Sequence, residues 1–300
     1  MRPGAHNAIT DVPGVRVGHA TRDEPGWLTG TTVVVPPVGT TAGVDVRGGG
    51  PGTRETDLLD PRNLVDAVDA IVLSGGSAYG LSSADGVVAA LGARRRGFQF
   101  RSTDVTAPIV PGAILFDLAN GGDKAWGEAP PYAALGSAAL AAAGPEVREG
   151  TVGAGTGAMA GALKGGTGSA SWVGAEGITV GALAAVNTFG SVVMPGTRAF
   201  WAWPFEQDGE FGGVRPGADW RPVGADDWGL GKAQAELRAN TTIAVVATDA
   251  ALTPAQARRL AIMAQDGLAR AIRPVHAPTD GDAVFALSTG RRPLPDPAPI

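Results

Sequence analysis

Glycine fills 46 of the 300 positions, and this narrows the folds open to the chain more than any other feature. A residue without Cβ loses the most backbone freedom on folding, so a globular sequence this rich in glycine implies many tight turns and close backbone approaches. The glycines fall in short clusters, in Val46–Asp57, Ser74–Gly80, Gly153–Gly157 and Lys164–Gly166, without a fixed period. Collagen-like and solenoid architectures do not fit that distribution. With 44% apolar and 18% charged residues, the chain can bury a full core as one large domain or two modest ones.

Between the glycine clusters, strand and helix patterns alternate loosely. Ile9–His19 reads as strand, Pro-Gly turn and strand, and Gly30–Val35 is a β-branched run closed by Pro36-Pro37. Ile178–Val186, Thr242–Thr248 and Ala283–Ser288 read as further strands, the first two buried. Helices are expected over Ser77–Leu91, Tyr132–Ala143 and Ala255–Ile272, the last with Thr253 as N-cap and Pro254 at the first helical position. Several strand-rich stretches lie together, which predicts a layered α+β fold. Pro195–Ala239 has little periodicity, carries Trp201, Trp203, Trp220 and Trp228, and runs directly into Asn240-Thr241-Thr242. Long loops of this kind are usually functional or mobile.

Charge and composition exclude several function classes. The net charge is −5 and no segment is densely basic, so no nucleic-acid partner is expected. Arg94-Arg95-Arg96 reads as a solvated helix end. No apolar run is long enough to span a bilayer, and Met1–His6 lacks the apolar core of a signal peptide, so no membrane association and a cytoplasmic location are expected. The absence of cysteine removes disulfides, thiolate catalysis and most structural zinc. His6, His19 and His276 have no neighbours at ligand spacing, so no metal is expected, and His19 reads as a polar surface or capping residue. A Ser-His-Asp triad built on His19 or His276 lacks the Gly-x-Ser-x-Gly elbow. The run Gly153–Ala158 is close to a dinucleotide fingerprint, yet it lies mid-chain with no apolar strand before it. It reads as backbone packing, and no cofactor is expected. There remain Asn240-Thr241-Thr242-Ile243 and Asp280-Gly281-Asp282, which alone are compatible with a turn-to-strand junction and a turn.

Several motifs read together carry a resemblance. Ile9–His19, Val46–Asp57, Leu73–Leu81, Gly153–Gly157, Lys164–Gly166, Val180–Asn187 and Ala247–Ala250 occur in the order in which they stand in the DmpA family of aminopeptidases, peptidase family S58. The resemblance spans residue 9 to about 290. It implies a single catalytic domain over residues 1–300, built as a four-layer αββα sandwich of the type shared with the ornithine acetyltransferases. It also implies a precursor that cuts itself between Asn240 and Thr241 into an α chain, 1–240, and a β chain, 241–300. The chain resembles the Asn-Thr branch, which includes the nylon-oligomer hydrolases, whereas β-peptidyl aminopeptidases place a serine at the position of Thr241.

The roles that the resemblance implies are specific. Thr241 is the nucleophile and its freed amine the general base, Asn187 an oxyanion donor, Asp280 and Asp282 orienting groups, and Lys164 a tuning charge. The nylon-oligomer hydrolases carry a tyrosine in the segment corresponding to Ala113–Asp117, where this chain has Phe116, assigned to substrate binding. Either that hydroxyl is dispensable or the substrate differs. Relatives assemble as tetramers or larger, which implies a homo-oligomer acting on a small-molecule or peptide amide. Acyl transfer to an amine, and an uncleaved, non-catalytic binding protein, stand as alternatives.

Overall fold

The computed structural model describes residues 2–24, 26–222, 224, 229, 231 and 240–294. The last part of the tryptophan-bearing loop, with Trp228 and Ala239, lies outside the described residues. Ten strands build two sheets: β1 Arg16–Arg22, β2 Thr29–Val35, β3 Thr41–Val46, β4 Thr53–Arg54, β5 Ile71–Ser74, β6 Gly112–Ile114, β7 Gly166–Val173, β8 Thr179–Asn187, β9 Thr241–Ala250 and β10 Ala283–Arg292. The principal helices are α1 Ser83–Gly92, α2 Tyr132–Ala141 and α3 Pro254–Ala271.

The first sheet has the order β1-β2-β5-β6-β4 and the second β7-β8-β9-β10-β3. Both follow one pattern of directions across the sheet: antiparallel, antiparallel, parallel, antiparallel. Each parallel pair is joined through a helix, β5 to β6 by α1 and β9 to β10 by α3, as parallel neighbours require. Strand β3 follows β2 in sequence but closes the far edge of the other sheet, which stitches the two layers together.

Side-chain alternation assigns each strand face to a layer. Ile243, Val245 and Ala247 of β9, with Ala283, Phe285 and Leu287 of β10, join Val34, Ile71 and Leu73 of the first sheet in one central core. Ala244, Val246, Val284 and Ala286 point the other way, onto Ala261, Leu260 and Leu268 of α3. On the opposite side Val33, Val35 and Val72 meet Val87, Leu91, Leu135 and Leu140 of α1 and α2. These three cores define helix, sheet, sheet, helix: the expected four-layer αββα sandwich. Each fully buried Val, Leu or Phe contributes roughly 1.5–3 kcal/mol, so the central core outweighs any single surface contact. Strand β9 is buried along all of its residues because both of its faces are covered.

Some local expectations change. Ile9–Asp11 is a 3₁₀ turn rather than a strand. The Asp11 carboxylate accepts the backbone N–H groups of His6 and Ala8 and the Ser171 hydroxyl, a local bonding pattern that competes with a sheet ladder. Ser77–Ser82 is 3₁₀ before α1 begins. Arg96 is half-buried, not solvated, pairing with Asp69 at 3.2 Å and donating to the Pro36 carbonyl at 2.7 Å. His19 sits in β1 with Nδ1 2.9 Å from Thr32 Oγ1, and burial lowers its pKa to about 4. The Gly153–Gly155 segment is a 3₁₀ turn packed on β2, as the packing reading expects. Among the described residues no helix is long and apolar enough to cross a membrane.

Candidate active site

The site lies where β9 begins. Thr241 is its first residue, and it stands opposite Asn187, the last residue of antiparallel β8. On the other side the parallel β9–β10 pairing continues beyond the strands as a bridge between Asn240 and Asp280. The topology of one sheet thus brings Asn187, Asn240, Thr241, Asp280 and Asp282 together from three distant segments. All five are at most 3% exposed. Thr241 shares the parity of Ile243 and Val245, so its side chain faces the gap between the sheets.

Two contacts frame the Asn240–Thr241 bond, the cleavage point expected from sequence. The Thr241 hydroxyl hydrogen-bonds the carbonyl oxygen of Asn240. The same oxygen accepts the backbone N–H of Gly281 at 2.9 Å. A Cβ built on Gly281 would lie 2.7 Å from Thr241 Oγ1, so the residue between the two aspartates must be glycine for the hydroxyl to sit there. The Gly48–Gly50 run lies flat against this loop, with Gly50 N–H donating to the Asp280 carbonyl at 2.7 Å. A Cβ on Gly48 would come within 2.3 Å of that carbonyl oxygen.

The two aspartates are held differently. Asp280 accepts the backbone N–H groups of Phe189 at 3.2 Å and Ala277 at 2.9 Å. Burial, and then the negative charge of Asp282, push its pKa up to about 6. Asp282 accepts the Thr242 N–H at 2.6 Å on one oxygen, and on the other the His276 N–H at 3.1 Å and His276 Nδ1 at 2.8 Å.

Asn187 is fixed on both ends of its amide. Its oxygen accepts from Asn120 Nδ2 and from the Met159 N–H, each at 2.9 Å, and its nitrogen donates to the Phe116 carbonyl at 2.9 Å. Phe116 thus enters the site through its main chain, a role the sequence does not announce. Lys164 pairs with Met159 in a short ribbon and donates to the carbonyls of Gly155, Ala158 and Gly165 at 3.1–3.3 Å. Partial burial lowers its pKa. Among the described residues no carboxylate pairs with it; it sits beside Asn187 rather than on the aspartates. Sequence reasoning missed Asn120, His276 and the Gly281 N–H. For His276 a signal existed: it stands six residues before Asp282 in a stretch held by Pro274 and Pro278. Among the described residues no group of His, Asp and Glu side chains could hold a metal ion.

Known proteins share this architecture. The L-aminopeptidase D-Ala-esterase/amidase of Ochrobactrum anthropi, described as a variant of the Ntn hydrolase fold, superposes with a TM-score of 0.69 at 27% identity, over 96% of this chain and 75% of its own. An uncharacterised aminopeptidase of Mycobacterium tuberculosis is 52% identical over 98% of this chain and 85% of its own length. A 6-aminohexanoate-oligomer endohydrolase of a Kocuria species is 31% identical over 95% of this chain and 76% of its own. Fold and relatives define an enzyme of the Ntn hydrolase fold that hydrolyses amide or peptide bonds. The model of peptidase family S58 matches residues 7–299, and the chain belongs to that family.

Proposed function

We propose that the chain is an autoproteolytic amide hydrolase whose nucleophile is Thr241, released by scission of the Asn240–Thr241 bond. The observation that carries this reading is the pair of contacts on one carbonyl: the Thr241 hydroxyl on one side and the Gly281 N–H on the other. Thr241 Oγ1 adds to the Asn240 carbonyl carbon, and charge develops on an oxygen that already accepts a backbone donor. The C–N bond then breaks, the amine takes a proton, and the resulting ester is hydrolysed to leave a carboxylate on Asn240 and a free amine on Thr241. An α-amine has an unperturbed pKa of roughly 7.7–8.0, so it can take the proton of its own hydroxyl near neutral pH.

In turnover the hydroxyl attacks a substrate amide, the amine leaves, and water hydrolyses the acyl-enzyme. The Asn187 amide, opposite Thr241 and held by Asn120, Met159 and Phe116, serves the oxyanion. Asp280 and Asp282 orient the new ammonium and the hydroxyl, and the Lys164 charge acts from beside Asn187. The substrate class is peptides or ω-amino-acid oligomers, supported by relatives named for aminopeptidase and 6-aminohexanoate-oligomer hydrolysis. Assembly into a homo-oligomer, a tetramer or larger, belongs to the same reading. Its support is the outer face of β7 and β8, where Ala170, Val180 and Ala182 are exposed.

Acid quenching of the processed protein with a small amide or ester substrate tests this function. The mass of the C-terminal chain is expected to rise by the acyl group, on Thr241. An acyl group carried elsewhere, or turnover by a Thr241→Ala chain, would contradict it.

A further inference from the structure

The two aspartates differ in one respect that the Asp280-Gly281-Asp282 motif does not reveal. The N–H groups of His276 and Ala277, adjacent in sequence, go to different carboxylates: His276 N–H to Asp282 and Ala277 N–H to Asp280. Only Asp282 also receives an imidazole, at 2.8 Å. The His276 side chain is 18% exposed, and its backbone has φ of 54°, the left-handed region that non-glycine residues rarely enter. That conformation turns the ring back onto a residue six positions ahead. Asp282 then links the ring to the N–H of Thr242, the residue that follows the nucleophile.

We propose that His276 is a positioning residue of this site, which clamps Asp282 as the fixed carboxylate and leaves Asp280 as the partner whose proton comes and goes. The inference rests on the reading of Thr241 as nucleophile. Two neighbouring buried carboxylates do not ionise independently, and donors hold a carboxylate in place. Asp282 has three donors, one of them a ring nitrogen, against two backbone N–H groups on Asp280. The charged or titratable groups acting on Asp280 are Asp282 and His276, and its pKa near 6 follows from burial beside the Asp282 charge. A ring that donates Nδ1–H is held in one tautomer, so the clamp is directional.

The test follows self-cleavage of the full chain by intact mass between pH 4.5 and 8. The wild type is expected to lose rate as pH falls through about 6. In His276→Gly, which removes the ring without straining a left-handed backbone, the rate falls roughly tenfold or more and the acid limb moves to higher pH. His276→Asn tolerates the same φ and places an amide N–H near the Nδ1 position, so it regains most of the rate. His276→Gln carries its amide further out and behaves like the glycine variant, which keeps the comparison usable if that variant misfolds. Wild-type rate and an unmoved acid limb in His276→Gly or His276→Gln, or no recovery in a folded His276→Asn, would overturn the proposal. A wild-type chain that never splits would instead overturn the nucleophile reading beneath it.

Discussion

Two buried acids, one at the end of each sheet, are held differently. Asp117 lies just beyond β6 of the first sheet, fully buried; it accepts the Thr29 hydroxyl at 2.6 Å and the Gly76 N–H at 2.8 Å. Asp280 lies just before β10 of the second sheet, equally buried, facing Asp282 and bridged to Asn240 at the start of β9. Burial raises the pKa of both. Asp117 is a single carboxylate, drawn also toward Lys124, with the Tyr132 hydroxyl against its Thr29 partner. It braces the loop whose Phe116 carbonyl fixes Asn187. Asp280 has a second carboxylate beside it. Burial raises both acids, and at Asp280 the charge of a neighbouring carboxylate adds to it.

The difference can be broken from either side. The largest effect is expected from Gly281→Ala, whose methyl would sit 2.7 Å from Thr241 Oγ1. Self-cleavage, followed by mass, should slow by about a hundredfold or more with the fold retained, because a misplaced nucleophile loses most of its orientation advantage. Asp117→Ala strips two donors of their buried acceptor and should cost about 3–4 kcal/mol in urea unfolding of the Thr241→Ala background. The same substitution should leave self-cleavage running in whatever fraction folds. A stable Asp117→Ala chain that cannot cleave itself would invert the assignment of brace and proton carrier.

Asp280→Asn should remove self-cleavage with little net change in stability at pH 8, because relief of the buried charge is offset by an amide NH2 turned against one of the two backbone N–H groups that the carboxylate accepts. Its folded pKa of about 6 lies above the ordinary carboxylate range, so its contribution to stability is full below that range and is lost as pH rises through about 6. The pH dependence of unfolding over that window should therefore be flatter in Asp280→Asn than in the Thr241→Ala parent. The smallest effect is a control far from both acids. Thr253 caps α3, its hydroxyl accepting the Gln256 N–H, and Thr253→Ala should cost about 1 kcal/mol without changing the cleavage rate.

The regular elements were legible where their periodicity is long: β8, β9 and α3 with its Thr253 cap and Pro254 follow the pattern of the residues. The short strands β4 and β6 were not, because a few residues carry no period and hold their place only by pairing. Nor could alternation announce that β3 changes sheets, a non-local choice made by the central core. In the site, Asn240, Thr241, Asp280 and Asp282 stood out through a resemblance rather than through spacing, since each motif alone also describes an ordinary turn. Asn120 left no mark, and His276 only its spacing before Asp282. Their roles depend on where a loop turns back, and at His276 that turn uses a left-handed residue that neither glycine nor asparagine advertises. Among the described residues the tryptophan-bearing loop meets the rest of the chain with Trp201 under the Arg273 guanidinium at 4.2 Å, and is tied within itself by Trp220 donating to the Pro195 carbonyl at 3.1 Å.

Everything proposed for the site depends on Thr241 cutting the bond before it. Intact mass under denaturing conditions, for the wild type beside Thr241→Ala, tests this most directly. The C-terminal 60 of 300 residues would appear as a fragment of roughly 6 kDa from the 30.1 kDa chain. That fragment, beginning at Thr241, is expected in the wild type, and a single uncut chain in the variant. A wild type that stays whole after long incubation, or a Thr241→Ala chain that splits at the same bond, would contradict it.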